Sequence, residues 1–183
     1  AHGLPVLLKD LIEVKGMYTS AGNYSLRNSF PAIDSGVAKH LRERGAVILG
    51  KVGLSEFANF FGNQPSGFAN LTGQVLNAVD ADQNPSGSSS GSGSAGAAAM
   101  SMLMIGTETS GSIISPSNAN GLVGLRPTVG LVPGYGIAPI SASQDTAGPM
   151  DRTVANAALT LQSIAGHDPH NEEYYRGIWG PGI

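Results

Sequence analysis

Apolar residues recur along this chain with two different periods, and the order in which the periods alternate predicts the fold. "GLPVLLKDLI" is apolar and β-branched, which predicts a strand leading into a loop at Lys9 and Asp10. A connection rich in Gly, Asn and Ser follows to about Pro31. "DSGVAKHLRERGAVILGK" then predicts a helix running into a strand. Ser35 stands at the cap, Val37, Ala38 and Leu41 recur at helical spacing, Gly45 fits the C-terminal stop, and "AVILG" reads as a buried strand. "LSEFANFF" predicts a short helix.

From Gly62 to Ser94 the chain is polar and turn-rich, longer than the roughly 12–15 residues beyond which a connection inside a domain is usually functional or disordered. "AGAAAMSMLMIGTE" predicts a small-residue helix entering a buried strand that ends near Gly106, and "GLVGLRPTVG" predicts a further strand and turn. "TVANAALTLQSIAG" predicts an amphipathic helix capped by Thr153, with Val154, Ala158, Leu161 and Ile164 on one face and Gly166 at its end. Strands alternating with helices, without an internal repeat, predict one α/β domain whose sheet is mixed or mostly parallel and flanked by helices.

Composition narrows the function classes. The chain has 183 residues, 41% hydrophobic and 13% charged, which suits one globular domain with a sizeable core. A net charge of −3 with no run of Lys or Arg gives no footprint for nucleic acid or for an anionic membrane surface. Without cysteine there is no disulfide, thiolate metal site or cysteine nucleophile.

The candidate chemistry lies in two turns. "NPSGSSSGSGSAG", residues 84–96, has the composition of a flexible linker, yet neither flank looks complete as a core of its own. Within it "GSGSAG" satisfies a dinucleotide-binding pattern and "GSSSG" a nucleophile elbow centred on Ser89, but both patterns require an apolar strand immediately upstream, and "DQNPSGSSS" is not one. The second turn, "GTETSGSIISP", begins where a strand ends. Consecutive backbone N–H groups there can hold an oxyanion, with Ser112 beside them as a nucleophile.

A nucleophilic serine needs a base. His167 lies in a polar, Pro-flanked tail, where "HDPH" with Glu172 and Glu173 reads more simply as a solvated cluster than as a metal site. A buried lysine can act as a base because burial disfavours its charged form. Lys9 after "LPVLL" and Lys51 after "AVILG" fit that description equally well.

Residues 84–158 carry a long collinear block, "NPSGSSSGSGSAGAAAMSMLMIGTETSGS" through "GLVGLRPT" to "SASQDTAGPMDRTVANAA". It resembles the central block of the amidase signature hydrolases, most nearly the peptide amidase branch, and the likeness extends upstream through "HGLPVLLKDLI" and "GAVILGKVGLSEFANF". That resemblance implies a Ser-Ser-Lys triad. Ser112 matches the nucleophile, Ser88 the bridging serine that the family holds after a cis peptide bond, and Lys9 the base, while Lys51 matches a recurrent noncatalytic lysine. It also implies an oxyanion hole from the backbone of Thr109, Ser110, Gly111 and Ser112, a supporting hydrogen bond from Ser89 to Lys9, and neither metal nor organic cofactor.

Two departures from the family pattern bear on substrate. Ser110 stands where the family most often has glycine, and Ile114 stands where members acting on acidic or small carboxylate substrates have arginine. The resemblance therefore implies a neutral or apolar acyl group, with a peptide C-terminal amide as substrate; a noncatalytic scaffold or peptide-binding remnant of the same fold is the alternative. Family members are more than twice as long. The expectation is that residues 1–183 are the core of one amidase signature domain, a fragment whose partner is the remainder of its own fold.

Overall fold

Alternation within β1 (Pro5–Lys9) decides what each face of the sheet receives. Val6 and Leu8 are fully buried on one face, and Leu7 and Lys9 point to the other. This is seen in a computed structural model that describes residues 1–168 and 170. A five-stranded sheet runs in the order β2 (Val47–Val52), β1, β5 (Leu103–Glu108), β7 (Thr146–Asp151), β6 (Val123–Gly124). β1 is parallel to β2 and β5, whereas β7 is antiparallel to β5 and β6. The fold is α/β with a mixed sheet, as the sequence predicts. β3 (Phe68–Ala69) and β4 (Gly73–Gln74) form a small separate hairpin inside the long polar connection.

Helices cover both faces. α1 (Gly36–Glu43) starts where Ser35 Oγ accepts the Ala38 N–H at 3.2 Å, and α4 (Val154–Ile164) starts where Thr153 Oγ1 accepts the Asn156 N–H at 3.1 Å. Val37, Leu41 and Ile164 from these helices pack on Val6, Leu8, Leu103 and Ile105. On the other face, α2 (Ser90–Ala97) and the short α3 (Ile114–Ala119) flank a smaller apolar cluster of Met104, Ile113 and Met150 with Leu7 and Val52 at its edge. Lys9 emerges on this second face.

Several local expectations change. The helix expected from "AGAAAM" begins earlier, in "SGSGSAGA", although Gly and Ser are poor helix formers. Close packing requires the small residues: a Cβ on Gly91 would stand 2.3 Å from the Gly53 carbonyl oxygen. The "AVILG" strand is not fully buried, because β2 is the edge of the sheet and leaves Val47 and Leu49 about half exposed. β5 continues to Glu108, two residues past Gly106.

"LSEFANFF" yields only a 3₁₀ turn at Glu56–Asn59, in which Phe57, Ala58 and Asn59 all have positive φ. Tertiary bonds override the helical pattern there: the Phe57 N–H reaches the Ala21 carbonyl at 2.9 Å, and Glu56 accepts from Asn23 Nδ2 and the Asn70 N–H, each at 2.6 Å. α4 is rotated from its expected face. Ala157, Thr160, Ser163 and Ile164 are buried while Val154 is exposed, because Thr160 Oγ1 bonds Asp151 at 2.7 Å and Ser163 Oγ bonds the Leu159 carbonyl at 2.6 Å. Buried hydroxyls satisfied in this way defeat a pattern read from hydrophobicity alone.

Candidate active site

The sheet delivers Lys9 as the last residue of β1, with no exposed surface. Its Nζ lies 2.7 Å from Ser88 Oγ and donates to the Thr107 carbonyl oxygen at 3.2 Å. Burial lowers the Lys9 pKa from its ordinary value to about 7, against the opposing fields of Glu108 and Asp145. An amine poised near neutrality can exchange a proton with the serine beside it. In the ammonium form Nζ donates to Ser88; in the amine form the hydroxyl can donate to Nζ.

The Gly/Ser stretch is an ordered loop packed into the domain. Ser88, Ser89, Ser90 and Ser92 are all buried, and the Gly87–Ser88 peptide bond is cis. Ser89 Oγ donates to the Thr107 carbonyl at 3.0 Å and accepts the Thr107 N–H at 3.2 Å. The expected hydrogen bond from Ser89 to Lys9 is therefore indirect, the Thr107 carbonyl being shared by both. A glycine on β5 leaves room for this approach, since a Cβ on Gly106 would stand 2.8 Å from Ser89 Oγ. The Ser89 N–H also donates to the Ser112 carbonyl at 3.3 Å, tying the loop to the second turn.

That second turn is shaped by Gly111, whose φ of +80° is costly for a residue with a side chain. Glu108 Oε2 accepts the N–H groups of Ile113 and Ile114 at 2.7 and 3.0 Å. Among the described residues, the N–H groups of Thr109, Ser110, Gly111 and Ser112 have no protein acceptor, which leaves four consecutive donors at the turn. Thr109 Oγ1 donates to Asp145 Oδ1, and Asp145 Oδ2 accepts the N–H groups of Ile140 and Ser141 at 2.8 and 2.9 Å.

Ser88, Thr109, Ser112 and Asp145 open onto one cavity of about 380 Å³. Its wall includes Leu11, Ala58, Ile137, Pro139 and Ile140, and the segment through Ile137 is held against β1's exit by an Ala138 N–H bond to the Leu11 carbonyl at 2.9 Å. Ser88 and Ser112 share this cavity, but no hydrogen bond joins their hydroxyls among the described residues. Ser110 is exposed, and neither it nor Gly111 nor Ile114 lines the cavity.

Lys51 takes a different place. It is paired with Asp10 at 2.9 Å and donates to Thr19 Oγ1 at 3.1 Å, outside the cavity lining. Among the described residues no group of three or more His, Asp or Glu is placed to hold a metal ion, and no helix is long and apolar enough to cross a membrane. Glu172 and Glu173 lie outside the described residues. Sequence reasoning missed Glu108, Asp145 and the Thr107 carbonyl as parts of the site. The available signal is an acidic residue embedded in each polar turn, in "GTETSGS" and "SQDT".

The model of the Amidase family matches residues 1–176. A "probable amidase" of Arabidopsis thaliana is 48% identical over 173 residues, covering 93% of this chain and 34% of the relative. One component of the glutamyl-tRNA(Gln) amidotransferase of Gloeobacter violaceus is 43% identical over 167 residues, covering 91% of this chain and 33% of the relative. The crystal structure of native peptide amidase from Stenotrophomonas maltophilia superposes with a TM-score of 0.93 at 50% identity, covering 100% of this chain and 37% of that one. The chain thus spans about a third of the length of the proteins it matches.

Proposed function

The chain belongs to the amidase family, and from that premise we propose that it carries the catalytic centre of an amide hydrolase working through Ser112, Ser88 and Lys9. The observation that carries this reading is the buried Lys9 amine, 2.7 Å from Ser88, in a site where Ser88 and Ser112 face one cavity. Neutral Lys9 takes the Ser88 hydroxyl proton as Ser88 takes that of Ser112. The Ser112 oxygen then bonds the amide carbonyl carbon, and the carbonyl π electrons move to oxygen. A χ1 rotation of Ser112 as substrate enters closes the relay, since catalytic hydrogen bonds tighten when the complex forms.

The N–H groups at Thr109 through Ser112, without a protein acceptor among the described residues, stabilise the oxyanion, a task suited to donors already fixed in place. On collapse the C–N bond breaks, and the leaving nitrogen receives the proton held on Lys9, passed through Ser88. Water then adds to the Ser112 ester by the same relay, releasing the carboxylic acid and restoring the hydroxyl.

The substrate class in this reading is a peptide C-terminal amide. The apolar wall of Leu11, Ile137, Pro139 and Ile140 suits a neutral acyl group. Ammonia release from a neutral peptide amide tests the proposal, with Ser112→Ala as comparison. The expected loss is at least about 10³-fold. Equal rates in the two proteins would leave only a binding or scaffold role.

A further inference from the structure

The Ser112 turn is surrounded by a closed set of polar contacts in which one cation joins two elements. Arg126 follows β6, is anchored by the neighbouring Leu125 N–H bond to the Pro149 carbonyl at 3.0 Å, and precedes Pro127. Its Nε stands 3.3 Å from Glu108 Oε1, and its Nη2 donates to the Gln144 carbonyl at 2.7 Å. Glu108 carries the N–H groups of Ile113 and Ile114 on its other oxygen, directly after Ser112. Asp145, next to Gln144, receives Thr109 Oγ1 on one oxygen and the Ile140 and Ser141 N–H groups on the other.

We infer that Arg126 is a positioning residue for the reaction: its guanidinium fork locks the Ser112 turn, through Glu108, to the Gln144–Asp145 segment that holds Thr109 and the Ile140 wall. The inference rests on the proposed roles of Ser112 and Lys9. An exposed ion pair would ordinarily contribute little. Here the carboxylate side chain is only 6% exposed, and Arg126 is its sole ion-pair partner among the described residues. Removing the cation leaves a buried carboxylate partly uncompensated, so the turn that it anchors must shift. The planar fork matters as well as the charge, since Nε and Nη2 serve different elements at fixed separation and a single ammonium nitrogen cannot reproduce both directions.

Arg126 also enters the charge balance at Lys9. Glu108 of β5 and Asp145 of the segment before β7 are the carboxylates whose fields act on the Lys9 amine. Asp10, the neighbour of Lys9 in sequence, is paired with Lys51 instead. Loss of the Arg126 charge leaves the Glu108 field unopposed, which favours the ammonium form of Lys9. The pH below which activity falls then moves upward, because the reaction needs the amine.

The test compares the full chain with R126Q, R126K and S112A, measuring kcat, KM and the acid limb of kcat/KM on a neutral peptide amide, together with thermal unfolding. R126Q is expected to lower kcat about tenfold or more with KM nearly unchanged, as misplacement of a reacting group does, and to shift the acid limb to higher pH. R126K is expected to return the limb to its parental pH while kcat stays about threefold or more below the parent. Parental kcat and limb in R126Q overturn the inference, as does a loss of activity that tracks unfolding without any limb shift. Should R126Q fail to fold, R126K carries the test, and parental kcat in it overturns the fork. Activity surviving in S112A would overturn the proposed mechanism instead, so the two failures are distinguishable.

Discussion

Lys9 and Lys51 lie one register position apart on neighbouring parallel strands, each near the end of an apolar run, and each side chain is almost wholly withdrawn from solvent. What separates them is the partner. Lys51 has the Asp10 carboxylate at 2.9 Å, which rewards its charge even though burial lowers its pKa. Lys9 has a hydroxyl and a carbonyl, which accept hydrogen bonds but offset little of the lost hydration, and its pKa falls to about 7. Burial lowers both pKa values; without a paired carboxylate it brings Lys9 near neutrality, as the proposed base requires. The chemically informative contact is one the strand sequence does not contain.

Exchanging either lysine for methionine, which keeps the length and removes the amine, should break the comparison in opposite directions. Lys9→Met is expected to abolish amide hydrolysis, by at least about 10³-fold, while the fold is retained. The sign of its pH dependence follows from the lowered pKa. Between about pH 7 and 10.5 the unfolded chain holds a proton on Lys9 that the folded chain does not, so the parent gains stability over the variant as pH rises through that window. Denaturation of both proteins at pH 6 and pH 10 measures this, and a constant difference would show that Lys9 is not titrating.

Lys51→Met should destabilise by about 3 kcal/mol, because it leaves Asp10 buried without its cation. Asp10 still accepts the Ser20 N–H at 3.1 Å and the Ser20 hydroxyl, so the fold is expected to survive near neutral pH. Turnover per folded molecule should stay within about threefold of the parent, as for a residue outside the reacting set. Urea denaturation and active-site titration separate the two quantities. Loss of turnover with unchanged stability would reverse the assignment of the two lysines.

The ambiguity between these lysines marks how far the chain could be read beforehand. β1, β5, α1 and α4 follow from periodicity and capping residues, and Ser35 and Thr153 cap where expected. α2 escapes such reading because its glycines serve close contacts with residues distant in sequence, Gly91 with Gly53 and Gly93 with Asn120. The buried face of α4 escapes because Thr160 and Ser163 are polar residues satisfied internally. At the site, the positions of Ser88, Ser112 and Lys9 were legible only through a long collinear resemblance. Glu108, Asp145 and Arg126 meet through contacts between turns that no local pattern encodes.

A smaller test concerns pH directly. If Lys9 must be neutral, kcat/KM should fall about tenfold per pH unit below its pKa of about 7. In Lys51→Met the same limb should remain, since Lys51 is held in its own pair with Asp10. A limb that vanished in Lys51→Met, or one that persisted in the residual activity of Lys9→Met, would show that another group sets it.

The subtlest contrast is between the two supports of Lys9, Ser88 and Ser89. Ser88 is bonded to Nζ itself, whereas Ser89 fixes only the Thr107 carbonyl that Nζ also uses, by donating to it at 3.0 Å and accepting the Thr107 N–H at 3.2 Å. Ser89→Ala removes both contacts and leaves a buried N–H without a partner, at a cost of about 1–3 kcal/mol in stability. The proposed proton path from Ser112 to Ser88 to Lys9 remains. Turnover should therefore fall only about three- to tenfold, where Ser88→Ala, which removes the relay, falls by about two orders of magnitude or more. Measured side by side at pH 8, equal losses in the two variants would show that Ser89 shares the proton path instead of supporting it from behind.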